Sequence, residues 1–262
     1  MAGEFSLFDL ASMQDKVEHL KALPWSKEDK LEAIKAKDYY AISWAALNGR
    51  LPILHYLLEE VGLSTEDKLK AVKAYGYIAI ARAAQYSHLA TIRYLLEEVG
   101  LSTEDKLKAV KAYGYIAIIS AAENGHLAIL RYLLEEVGLG TEDKLEAIKA
   151  DDYYAIRNAA YNGHLETLRY LLEEVGLSTE DKREAIKADD YYAIRRAAAY
   201  QHRPIITYFL TFDPGLAYLE SHDREYGKTY VYGFVAEQLE GLKRRKEGMV
   251  QITPVLVSTE RA

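Results

Sequence analysis

Cysteine is absent from all 262 residues, which removes disulfide frameworks, thiolate nucleophiles and Cys-based zinc sites together. No apolar run approaches the ~20 residues that cross a bilayer. Residues Met1 to Gln14 set acids among apolar side chains, without the basic start and continuous apolar core of a secretory leader. The expectation is a cytoplasmic chain with no signal peptide and no membrane partner. Basic charge is short as well: 33 Lys and Arg stand against 40 Asp and Glu, a formal net charge of −7. Phosphate backbones and anionic lipids are held largely by cations, so nucleic acid is not the expected partner either. Half of the residues are apolar and 28% are charged, a balance that can bury a core.

What the chain has instead is repetition. The stretch LLEEVGL recurs from Leu57, Leu95, Leu133 and Leu171, at a constant offset of 38 residues. Five copies follow, at 26–63, 64–101, 102–139, 140–177 and 178–215, with an N-terminal capping helix in 1–25 and a C-terminal helical cap and tail in 216–262. Each copy reads as three helices. The first begins with a hydroxyl and two acids, as in Ser64-Thr65-Glu66-Asp67, an N-cap followed by charges that suit the helix dipole. The second runs from Asp152, or Gly76 and Gly114 in the second and third copies, through Tyr153, Ile156 and the Ala159-Ala160 pair to Gly163. In the third, Leu165, Leu168, Leu171, Leu172 and Val175 form an amphipathic stripe at spacings of three and four. No alternating β-branched run interrupts the array, so stacked copies are expected to share one continuous core.

Within each copy, about 20 residues carry a resemblance. Ala155 to Leu172, and Ala121-Ala122-Glu123-Asn124-Gly125-His126-Leu127, resemble the helix-turn-helix core of the ankyrin repeat. The family's Thr-Pro-Leu-His helix start is replaced by Tyr154-Ala155-Ile156-Arg157, and its hairpin by the additional capped helix. The resemblance implies an all-α, right-handed α-solenoid of five ankyrin-like three-helix repeats with helical caps. Long repeats poor in hairpins are similar to those of effector-type proteins from intracellular bacteria and of giant viruses.

Differences between copies point to a candidate surface. The second and third copies are nearly identical, and four of their seven differences fall in the last half of the Ala-Ala helix. One position there reads Trp44, Arg82, Ser120, Asn158, Arg196 and another Leu47, Gln85, Glu123, Tyr161, Ala199. Burying an unpaired charge costs several kcal/mol, so such a spread is read as a solvent-exposed face. In ankyrin-type proteins the two residues before the Gly-His turn belong to the concave contact surface. The expected partner-binding residues are Tyr40, Trp44, Leu47, Arg82, Tyr86, Asn124, Asn158, Tyr161, Arg196 and Tyr200; Tyr, Trp and Arg are the types enriched at interface hot spots.

Other motifs read as structural. His88, His126, His164 and His202 stand one repeat apart, too far for shared metal ligation. Gly227-Lys228-Thr229 ends like a phosphate loop, but His222 occupies the position of the first glycine. The paired acids Glu59/Glu60, Glu97/Glu98, Glu135/Glu136 and Glu173/Glu174 read as a solvated edge, and Lys243 to Lys246 as a basic helix end. The resulting expectation is a monomeric, non-enzymatic protein-interaction scaffold needing no catalytic residue, cofactor or metal. A partnerless structural or engineered array and an RNA-reading repeat array are the alternatives, the latter disfavoured by the net charge.

Overall fold

The computed structural model describes residues 17–212. The C-terminal helical cap and tail expected in 216–262 lie outside them. The described chain falls into two compact units, one ending at Ala193 and the other beginning at Ile194, a boundary inside the helix Thr179–Ala199. The architecture is all-α, and no strand occurs among the described residues.

In the first unit a short helix, Val17–Lys21, with Leu20 buried, precedes the array. Each copy then begins with a long helical segment, Lys27–Leu47, Thr65–Gln85, Thr103–Glu123 or Thr141–Tyr161, and continues into a shorter one such as Leu51–His55 or Leu127–Arg131. The shorter helix widens in its last turn, Tyr56–Glu60 or Tyr132–Glu136, to the i→i+5 pattern of a π-helix. Long segments of neighbouring copies pack side by side. The Ala pairs explain the fit: Ala45, Ala46, Ala83, Ala84, Ala121, Ala122, Ala159 and Ala160 are all fully buried, and a methyl side chain allows close approach between helices. Leu57, Leu58, Leu95, Leu96, Leu133, Leu134, Leu171 and Leu172 complete the core at 0% exposure, each contributing about 1.5–3 kcal/mol of apolar burial.

The expected N-caps form. The Ser64 hydroxyl accepts from the Asp67 backbone N–H at 3.1 Å, and Ser102 does the same for Asp105. Gly140, which has no hydroxyl, starts its helix without such a cap.

The long segment is two helices, as expected, but their junction differs from a simple helix start. Ala112 is extended (φ −55°, ψ 138°), and Tyr113, Gly114 and Tyr115 then make one complete left-handed turn with φ of 50°, 64° and 64°. The same turn recurs at Lys37-Asp38-Tyr39, Asp151-Asp152-Tyr153 and Asp189-Asp190-Tyr191. Asp152 therefore lies in the turn rather than inside the second helix. Gly and Asp at the central position are the residue types that tolerate this region best.

In the second unit the helix end turns at Gln201 (φ 59°), with the His202 N–H donating to the Ala197 carbonyl. Arg203–Phe212 forms the last described helix, with Ile205, Ile206, Phe209 and Leu210 buried and Tyr208 edge-on to Phe212 at 4.9 Å.

Candidate functional site

Three sets of contacts between copies hold the candidate face in place. In the first, the tyrosine that opens each LLEE turn reaches back one copy: Tyr132 donates to Glu97 at 2.9 Å and Tyr170 to Glu135 at 2.9 Å, with Tyr94 on Glu59 at 3.4 Å. Arg93 lies 4.2 Å from the Tyr132 ring centroid and its Nη2 pairs with Glu136 at 2.9 Å; Arg131 repeats the arrangement on Tyr170 and Glu174. Lys21 plays this part for Tyr56 and Glu60 at the N-terminal end. The paired acids are thus not merely a solvated edge. One binds the tyrosine of the next copy and the other the cation of the preceding one.

A second set joins the first helices. Lys35 pairs with Asp67 at 2.7 Å, Lys73 with Asp105 at 2.9 Å, Lys111 with Asp143 and Lys149 with Asp181 at 2.5 Å each. Lys35, with the Ser64 hydroxyl and then Tyr39, holds the Asp67 carboxyl down to about 2. Burial, then the bond to Asp67, pushes the Tyr39 hydroxyl up to about 12. In the later copies the equivalent tyrosines choose a different acid, Tyr115 donating to Glu146 at 2.7 Å and Tyr153 to Glu184 at 3.0 Å, because lysine at positions 70 and 108 gives way to glutamate at 146 and 184.

The third set is the histidine at each turn. His126 Nε2 meets the Gln85 carbonyl at 3.0 Å, and the His88 ring, its pKa lowered chiefly by burial, hydrogen-bonds the Leu47 backbone. A methyl added at Gly49 would sit 2.4 Å from the His88 ring, and one at Gly125 2.5 Å from that of His164. The close approach favours glycine at these two turns, while the second copy carries Ser87 in the same place at φ 66°; the packing agrees with the structural reading of the histidines.

On this frame, most of the expected face is open. Tyr40 is 41% exposed and Tyr86 52%, Arg82 and Asn124 are exposed, and Trp44, Leu47 and Tyr161 are half-buried. Arg196 and Tyr200 are exposed within the second unit. Asn158 is a correction: it is 7% exposed, and its amide folds back to donate to the Tyr154 carbonyl at 3.0 Å. Ser120 is buried at the same position, so the position is solvent-facing only where a long side chain such as that of Arg82 reaches past its neighbours.

The sequence reading missed Tyr113, Tyr154, Arg157 and Tyr192. Tyr113 and Tyr154 are exposed, and Tyr161 stacks on Tyr192 with ring centroids 6.3 Å apart. Arg157 lies 5.5 Å from the rings of both Tyr154 and Tyr192 and pairs with Asp189. The available signal was the contrast of Ile78 and Ile116 with Tyr154 and Tyr192 at one repeat position.

Capped helix pairs stacked through side chains that each copy offers to the next define a helical repeat scaffold. The family model for ankyrin repeats, three copies, matches residues 42–144 and again residues 118–218, and the chain belongs to the ankyrin repeat family. Among solved structures it is similar to the X-ray structure of an ankyrin repeat family protein from Legionella pneumophila, with 27% identity and a TM-score of 0.55 over 89% of this chain. The chain spans 64% of the length of that protein's chain. No curated protein matches it. Ankyrin repeats are in general protein–protein interaction modules, and proteins built from them are in general non-enzymatic scaffolds. No helix among the described residues is long and apolar enough to cross a membrane.

Proposed function

We propose that this chain is a non-enzymatic scaffold that binds a protein partner through the face formed by the C-terminal halves of the Ala-Ala helices and the turns after them. The observation that carries the reading is the exposure of Tyr40 and Tyr86, with Arg82 beside Tyr86, over copies whose buried Ala and Leu positions stay the same. Large aromatic and Arg side chains are the commonest anchors of an interface, and truncating one at an interface centre costs ~2 kcal/mol or more of affinity. Arg196 and Tyr200, exposed in the second unit, belong to the same proposal. The scaffold works as a monomer in a cytoplasm. An effector-type role in an intracellular bacterium or a virus belongs to the same proposal, on the ground of repeats that carry a helix where a hairpin would stand.

The test is affinity capture with wild type and with Tyr40→Ala/Tyr86→Ala. The double variant should lose the captured protein while its melting temperature stays within a degree or two. If it captures the same protein as wild type while a change at the exposed Glu98, Glu98→Lys, does not, the contact surface lies on the opposite edge. If no protein is retained above a scrambled control, the chain is an array without a dedicated partner, a reading favoured by its nearly identical second and third copies.

A further inference from the structure

The residue that follows the turn after each Ala-Ala helix forms a row with one member per copy: Arg50, His88, His126 and His164. The half-buried His88 ring leans back over the turn of the first copy. It hydrogen-bonds the Leu47 backbone, as His126 Nε2 meets the Gln85 carbonyl at the equivalent position of the second copy. Another edge of the ring closes on Gly49: Nδ1, Cε1 and Cγ lie 2.4, 2.6 and 2.7 Å from where a methyl would stand. The Gly49 N–H and carbonyl are themselves engaged within the turn, with Ala46 and Leu51.

A neutral imidazole suits this setting, because it carries one N–H for one backbone carbonyl. Charging the ring adds a second N–H, on the edge that is packed against Gly49. The charged and titratable groups that face the ring are Arg50 from the first copy's turn and His126 from the third copy's, and both oppose a positive charge on it. The first copy differs from the later ones here, since it alone sets a permanent cation in the row. Burial opposes the charge more strongly than either neighbour and outweighs the bond to Leu47, so the ring's pKa is lowered.

The sign follows. A histidine whose pKa is lowered by folding stabilises the fold fully above its unfolded value, ~6.5, and that contribution is lost as pH falls through the folded value. Other groups at these junctions do not compete in this range. The Asp67 and Asp105 carboxyls are held down and the Tyr39 hydroxyl is pushed up, so their charges do not change between pH 7.5 and 5.5. His55, 3.7 Å from Glu60, gains an ion pair on charging and acts in the opposite direction.

We infer that the turn joining the first and second copies is a pH-responsive device, in which charging of the His88 ring expels it from the Gly49 turn and loosens the junction that presents Leu47, Asn48 and Tyr86. Acidification then weakens the N-terminal end of the candidate face while the ion pairs of the first helices stay formed. The inference rests on the scaffold reading only for the role of Tyr86.

The test is a pH titration of the full chain, with imidazole resonances followed by NMR. His88 should titrate at lower pH than N-acetyl-histidine amide in the same buffer. The Arg50 and His88 amides, whose bonds to the Ala45 and Ala83 carbonyls at 2.8 and 2.9 Å close the two turns, should lose hydrogen-exchange protection severalfold between pH 7.5 and 5.5. The urea midpoint of wild type should fall over the same interval, and His88→Gln, which keeps an N–H donor and does not titrate, should lose much of that fall. Both NMR measurements use wild type, so they decide the matter even if His88→Gln folds poorly. A His88 that titrates at or above the reference, turn amides equally protected at both pH values, or a fall left intact in folded His88→Gln would each overturn the device. The assay contains no partner, so those results leave the scaffold reading standing, whereas failure of the Tyr40/Tyr86 capture experiment leaves the pH response standing.

Discussion

Replacing Tyr132 by Phe removes one oxygen from the contact between the second and third copies and leaves everything else in place. The ring is 1% exposed and keeps its packing and its place beside Arg93. Lost is the 2.9 Å bond to Glu97. A hydrogen bond to a charged acceptor contributes about 1.5–3 kcal/mol, but the Glu97 side chain is 45% exposed, so water recovers part of this in the variant. The expected loss is about 1 kcal/mol, well below the ~2–5 kcal/mol of Leu133→Ala, which empties a fully buried site next door. In urea, with slopes of ~1–3 kcal/mol per molar, Tyr132→Phe should lower the midpoint by about 0.3–1 M.

The double variant with Glu97→Ala, which removes the acceptor, closes a thermodynamic cycle that isolates the pair. Its coupling should be near the single-variant loss, because both changes break the same bond. Glu104→Ala serves as the control: that acid faces solvent and pairs with Lys108 of its own helix, so its loss should stay near 0.5 kcal/mol or less, about the size of an i,i+4 pair. A Tyr132→Phe variant as stable as wild type, or additive losses in the cycle, would refute the claim that the tyrosine and the acid of adjacent copies stabilise the stack as a pair.

Two further outcomes follow from the same frame. Gly49→Ala should cost about 1 kcal/mol, since its methyl would sit 2.4 Å from the His88 ring in a left-handed backbone at φ +62°, a turn that admits Ser87 in the next copy; thermal melting checks it, and His88→Ala should restore part of the loss. Asp67 and Asp181 are both held down to about 2, first by Lys35 and Lys149 and then by their serine caps. A carboxyl depressed in the folded state stabilises fully above its unfolded pKa, near 3.8, and loses that contribution as pH falls toward 2. Lys149→Met should therefore shift the acid unfolding midpoint, read by helix circular dichroism, to higher pH; an unchanged midpoint would mean that the lysine ladder does not stabilise the fold.

Much of this frame was readable because each copy is an independent sample of the same fold. The stripe of Leu133, Leu134 and Val137 and the serine caps recur at one spacing, and both follow from residues within about ten positions of each other. What escaped were contacts whose partners lie in the next copy. Glu97 and Glu136 look alike in sequence, yet one accepts from a tyrosine 35 residues later and the other from an arginine 43 residues earlier. Perfect periodicity hides this, since a contact within a copy and one between copies produce the same pattern. At Asn158, polarity was read as exposure. A short amide can satisfy itself on the Tyr154 carbonyl of its own helix, so burial required no external partner and polarity was not a guide. Arg157 escaped for a related reason: its partners include backbone carbonyls, whose positions depend on a turn that residue types alone leave open.

That turn is itself open to a test whose sign differs between the two conformations. Lys37 is exposed and sits at φ 50°, ψ 44°, the first of three consecutive left-handed residues. A side chain there costs roughly 1–2 kcal/mol from the approach of Cβ to the following carbonyl oxygen, and glycine removes that cost. Glycine also gives the unfolded chain more freedom, worth about 0.5–1 kcal/mol against folding. The balance for Lys37→Gly is a gain of up to about 1 kcal/mol. Were residues 27–47 one continuous right-handed helix, the same substitution would lose about 0.5–1 kcal/mol, because glycine is the poorest helix former after proline. The third copy already carries glycine at the next position of this turn, Gly114, where the first has Asp38, so the turn accepts it there. Stability of Lys37→Gly should be measured beside Lys37→Ala, which removes the charge and keeps the Cβ. Lys37→Gly more stable than Lys37→Ala supports the left-handed turn and, with it, the converging carbonyls that hold Arg157 in the fourth copy. The reverse order would refute the turn.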